Sequence, residues 1–177
     1  MGRNKKETLV LENAMLAFRG KKCWSVIAGE GTGSLITLAF GLKQRRMKIL
    51  KNQYLTNEQQ NFDGEFELYV ECAWRLETMT SVICTSTSSN RRGDTMMKEI
   101  DQLVGQTVVE VGLTYPAADI KIDFDSGLSL VIFADQANEV DEYCNYVVST
   151  DSRIIVNGAK SQISLQARPQ PSKVPGR

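Results

Sequence analysis

The second half of this chain retraces the first, and that constrains its folding more than any other feature. Gly20 to Val26 (GKKCWSV) lies opposite Gly105 to Val111 (GQTVVEV), each behind an apolar helical pattern. Ile36 to Phe40 then matches Ile120 to Phe124, with a one-residue gap. Phe66 to Val70 corresponds to Leu128 to Ile132. Cys72 to Cys84 aligns without gaps to Cys144 to Val156: Trp74 meets Tyr146, Leu76 meets Val148, Val82 meets Ile154 and Ile83 meets Ile155. Two repeats are too few for a solenoid, so a pseudo-twofold pair of β-units sharing a core is the natural solution.

Period-two alternation marks strands at Cys23 to Ile27, Leu35 to Phe40, Glu65 to Glu77 and Ser81 to Cys84. It returns at Val108 to Leu113, Asp119 to Phe124, Leu128 to Phe133, Asn145 to Val148 and Arg153 to Val156. Helical spacing predicts short helices over Leu9 to Phe18 and Thr95 to Val104, with Asp94 as N-cap and Gly20 and Gly105 as stops. The predicted class is a β-rich α+β fold of two tandem pseudo-equivalent antiparallel β-units, each preceded by a short helix. The units span 9–84 and 105–166. A flexible terminus covers 1–8, a linker and helix cover 85–104, and a disordered tail covers 167–177.

Several function classes find no residues here. There is no histidine, which removes the commonest general base and metal ligand. Cys23, Cys72, Cys84 and Cys144 form no CxxC pair, so they are expected as reduced core residues rather than metal ligands. No run of about 18 apolar residues is present, and no apolar stretch follows the basic Met1 to Glu7. These features predict a cytoplasmic protein with no membrane partner, cofactor or metal.

The net charge of zero hides an asymmetry. Residues 104–166 carry nine acids against three bases, and residues 1–103 carry fifteen bases against twelve acids. Lys43, Arg45, Arg46, Lys48 and Lys51 make 43–51 the most basic segment. With only Tyr54 nearby as a stacking aromatic, it reads as a solvated loop, and direct nucleic-acid binding is disfavoured. Gly29, Gly31 and Gly33 resemble a phosphate loop, but no Lys-Ser or Lys-Thr follows, and the next segment is strand-like.

Ser34 to Gly41 (SLITLAFG), Glu67 to Arg75 (ELYVECAWR), Leu103 to Val108 (LVGQTV) and Asp119 to Phe124 (DIKIDF) together resemble small bacterial proteins of the immunity-protein kind, found beside polymorphic toxins or in defence loci. The resemblance implies a non-catalytic binding role and transfers no functional residues.

The leading expectation is a non-enzymatic immunity or inhibitor-like protein. It would bind a protein such as a basic toxin or nuclease through Asp119, Asp123, Asp125, Asp135, Glu139, Asp141 and Glu142. The alternative is a small-ligand or nucleotide-binding protein with a cleft between the units at Gly31, Ser34, Trp74 and Arg75. A weaker third reading makes the Asp119–Asp125 face a metal-dependent phosphodiesterase.

Overall fold

A computed structural model describes residues 5–135, 144–157 and 162–167. Among these the fold is mostly antiparallel β, as the alternation predicts, with a few short helices. Helix α1 is Lys5–Leu16, followed by β1 (Cys23–Ile27) and β2 (Ile36–Arg45). A five-residue helix α2 (Asn57–Asn61) precedes β3 (Phe62–Val70), β4 (Ala73–Glu77) and β5 (Val82–Thr85). Helix α3 (Thr95–Ile100) runs into a 3-10 turn over Asp101–Leu103. Then come β6 (Val108–Thr114), β7 (Asp119–Phe124), β8 (Ser129–Phe133), β9 (Tyr146–Ser149), β10 (Ser152–Asn157) and β11 (Gln162–Ala167).

Neither half makes a sheet of its own. The six-stranded sheet runs β1-β2-β3-β9-β10-β11 and the five-stranded sheet runs β5-β4-β8-β7-β6. Each half lays three strands in one sheet, then crosses to the other. The first crossing splits the predicted strand Glu65 to Glu77 at Glu71 and Cys72, whose N–H groups both donate to Asn145 O, at 2.9 and 3.1 Å.

Within this exchanged arrangement the ladders keep matching register. Cys23 pairs with Phe40 and Val26 with Leu38, while Val108 pairs with Phe124 and Val111 with Ile122. Both ladders shift register at the same point, between Cys23 and Ser25 and between Val108 and Glu110. Leu38 pairs with Leu68 and Ile122 with Leu130. Across the exchange, Val70 pairs with Tyr146 and Ile132 with Trp74. The match fails after the last crossing. Leu76 pairs with Cys84 but Val148 pairs with Ile154, because Thr78–Ser81 joins β4 to β5 whereas only Thr150 and Asp151 join β9 to β10. Glu77 pairs with Val82 and Ser149 with Arg153, and a bulge in the β4–β5 ladder adds one more residue, so the gapless alignment is off by one residue at Val82 and by two at Cys84.

The sheets meet at one corner, where Lys22 bridges to Thr107. The bonds around it are reciprocal. Gly20 N donates to Val108 O (2.8 Å) and Gly105 N to Cys23 O (2.7 Å); Cys23 N donates to Gln106 O (2.8 Å) and Val108 N to Lys21 O (3.0 Å). The inner faces of both sheets, the helix residues Leu11, Met15, Met96 and Ile100, Phe18 just after α1 and Leu103 of the 3-10 turn form one continuous buried cluster. Burial of such side chains stabilises by about 1.5–3 kcal/mol each, which holds short helices that would melt alone.

Three local expectations need correction. Residues 5–8, expected to be flexible, belong to α1. Asp94 occupies the N-cap position of α3, but its carboxylate accepts from Ser89 Oγ (2.6 Å) rather than from the helix. Residues 162–167, with no strand predicted, form β11 against β10.

Candidate functional site

Three regions carry chemistry: the outer face of the five-stranded sheet, the glycine loop, and the arm between β2 and β3.

Alternation along β4, β6, β7 and β8 sends apolar residues to the core and charges outward. Glu77 faces Ser129, Ser129 faces Asp123, and Asp123 faces Glu110, making an acidic row across four strands. The next row holds Arg75, Val131 and Lys121. Arg75 Nε donates to Glu77 Oε2 at 2.5 Å, and its guanidinium lies 5.0 Å from the Phe133 ring centre. Asp123 accepts from Lys121 Nζ (2.8 Å) and Ser129 Oγ (2.5 Å). Burial raises the Asp123 pKa, but these hydrogen bonds outweigh it, and the carboxyl titrates below its usual range. Glu110 is mostly exposed, with Arg19 3.9 Å away.

The acids singled out in the sequence do not form one patch. Asp119 and Asp123 lie on this face. Asp119 Oδ1 accepts from Ala134 N at 2.8 Å. Asp125 sits in the β7–β8 turn and accepts from Thr107 N at 2.9 Å, a bond that holds its pKa down. Asp135 lies beyond β8, where its Oδ1 is 3.4 Å from Ala73 N. Glu139, Asp141 and Glu142 lie outside the described residues. Glu77 and Glu110, which complete the acidic row, were not among the acids expected to bind the partner; the signal for them was the strand pairing of β4 with β8 and of β6 with β7. Among the described residues no group of three or more His, Cys, Asp or Glu is placed to hold a metal ion.

The glycine loop is folded inward on its own carbonyls. Gly29, Gly31 and Gly33 all have positive φ. Thr32 donates to Gly29 O through N (3.0 Å) and Oγ1 (2.8 Å), and Asn90 Nδ2 donates to Gly29 O (3.3 Å) and Gly33 O (2.9 Å). The proposed cleft is not assembled. Trp74 is buried and its Nε1 donates to Ser34 O at 2.7 Å, so these two do meet. Gly31 stays exposed at the loop tip, and Arg75 points to the opposite side of its strand.

The arm begins where β2 and β3 run past the sheet, from Lys43 paired with Gly64 to Arg45 paired with Phe62. Gly41, with φ of 73°, turns the strand there; a Cβ would meet Glu65 Oε2 at 2.4 Å. That carboxylate accepts from Leu42 N (3.1 Å) and Lys21 Nζ (2.9 Å), which together hold its pKa low. Beyond it the loop is ordered by Arg46 N to Asn61 O (2.8 Å) and Leu50 N to Gln60 O (3.0 Å). Gln60 Nε2 donates to Asn52 O and Leu55 O, both at 3.0 Å. The capping box of Thr56 with Gln59 starts α2, and Gln59 Nε2 anchors the helix to Ser25 Oγ and Val26 O, each at 3.1 Å. Two of the five bases are neutralised, Lys43 by Glu58 and Arg46 by Asp63.

Compared with protein-family models, with curated proteins and with solved structures, the chain matches none.

Proposed function

We propose that this chain is a non-catalytic, inhibitor-like protein-binding module that meets a basic partner on the outer face of its five-stranded sheet. The observation that most supports this reading is the direct opposition of Glu110 and Asp123 across β6 and β7. Like charges facing each other across a ladder lower stability by roughly 0.2–1 kcal/mol. Lys121 compensates Asp123, and the long, exposed contact of Arg19 with Glu110 contributes little. A basic partner laid over the face would remove the repulsion. Glu77 extends the row on one side, and Asp119 and Asp135 add negative charge near one end of the sheet.

The test begins with proteins retained by the immobilised wild-type chain, followed by association rates for each against wild type and Glu110→Lys. Attraction between the face and a basic partner acts over a Debye length of about 8–10 Å near physiological salt. Glu110→Lys should therefore slow association roughly threefold to tenfold at low salt and converge with wild type at high salt. Equal rates at every salt concentration would remove the acidic face from the mechanism.

A further inference from the structure

We propose that the β2–β3 arm is a docking element for an anionic lipid bilayer surface. The arm combines two features that a merely solvated loop lacks. Leu42, Met47, Ile49, Leu50 and Tyr54 are exposed, Leu42 by 73% and Tyr54 by 82%. Arg45, Lys48 and Lys51 are also exposed and form no ion pair among the described residues. Aliphatic side chains and uncompensated cations therefore alternate along one protruding, hydrogen-bonded segment.

The mixture selects the partner. Nucleic acid binds through phosphate contacts and aromatic stacking, and four of the five exposed apolar side chains are aliphatic. A folded protein would need a groove shaped to one order of side chains, whereas these are scattered along the arm. A bilayer interface accepts any order. Acyl chains take Leu42, Met47, Ile49 and Leu50, the headgroup layer suits Tyr54, and anionic headgroups meet the three cations. No described helix is long and apolar enough to cross a membrane, and surface attachment does not require one. The arm belongs to the six-stranded sheet, so this surface is separate from the acidic face.

Co-sedimentation of the full chain with phosphatidylserine/phosphatidylcholine vesicles tests the proposal, with phosphatidylcholine vesicles as reference. The protein should sediment with the anionic vesicles, and high salt should release it. The variant carrying Arg45→Gln, Lys48→Gln and Lys51→Gln should partition about 100-fold less. The variant carrying Met47→Ser, Ile49→Ser and Tyr54→Ser should lose at least about tenfold. All six side chains are exposed, so unchanged circular dichroism should accompany both losses. Glu110→Lys, on the other sheet, should bind vesicles no less well than wild type, so the two surfaces succeed or fail separately. Wild type remaining in the supernatant, both arm variants binding like wild type, or release by a single-stranded oligonucleotide that the arm binds more tightly would each overturn the assignment.

Discussion

Trp74 and Tyr146 each turn one polar atom toward a carbonyl of the opposite sheet. Trp74 Nε1 donates to Ser34 O at 2.7 Å, and Tyr146 Oη donates to Ala118 O at 2.7 Å. The two acceptors sit at matching places in the repeat, two residues before Ile36 of β2 and two before Ile120 of β7. They differ in surroundings, since Ser34 is exposed and Ala118 is buried. In Tyr146→Phe the carbonyl of the buried Ala118 loses this donor, so unfolding in urea should show a loss of about 1–3 kcal/mol. An unchanged midpoint would mean that the bond contributes nothing. The cysteines give a second residue-scale expectation. All four thiols are unpaired, and burial pushes Cys23 up to about 12, Cys84 and Cys144 up to about 11, and Cys72 upward as well. An unfolded thiol ionises near pH 8.5. Above about that pH the unfolded chain loses protons that the fold still holds, so stability must fall as pH rises toward the folded values. The urea midpoint should drop between about pH 8 and pH 10, and Cys23→Ala should flatten part of that slope.

Among the elements, packing at a single contact decides whether the glycine loop can close. Gly29 has φ of 114°, and a Cβ there would stand 2.2 Å from Met97 Sδ. Gly29→Ala should destabilise by more than about 1 kcal/mol, because the left-handed backbone strain persists even if Met97 moves. Pairing it with Met97→Ala removes the collision only, so any rescue in thermal melts should be partial. Full rescue would show that strain is negligible. How much was legible in the sequence varies with the physics of each element. Helix α1 was visible because Leu11 and Met15 keep helical spacing with Phe18, which lies two residues past its end, and all three are buried. Helix α2 was missed although Thr56 and Gln59 spell its capping box, since a polar five-residue helix has no apolar period to detect. Strands β3 and β4 merged into one because alternation continues through Glu71 and Cys72; what separates them is a change of sheet, which no local pattern encodes. The acidic row suffered likewise. Asp119 and Asp123 were found by alternation; Glu110 joins them through the register of the β6–β7 hairpin, and Glu77 only through pairing between the distant strands β4 and β8. The basic arm was recognised by composition, while the exposure of its apolar residues required the fold.

On the scale of the whole molecule, the exchange of strands makes the halves interdependent. Strand β3 bonds to β9 and β8 to β4, so both sheets contain a junction between halves. The bridge at Lys22 and Thr107 adds a third seam, and the core is continuous across all of them. Two side-by-side units joined by a linker would unfold separately and drift apart once the linker was cut. The exchanged fold predicts otherwise. Arg91, Arg92 and Gly93 are exposed, and a site-specific protease sequence inserted between Arg92 and Gly93 would be cleaved without touching either sheet. The nicked protein should elute as one species in size-exclusion chromatography, because separating the pieces exposes buried residues such as Val70, Tyr146, Trp74 and Ile132. Cutting the chain removes only the tether, whose contribution shrinks to a concentration term, so denaturation of the nicked complex should become concentration-dependent while remaining a single transition. Uncut protein should likewise unfold in one step by both near-ultraviolet and far-ultraviolet circular dichroism. Two transitions in the uncut protein, or two separate species after cleavage in native buffer, would mean that each half holds its own core.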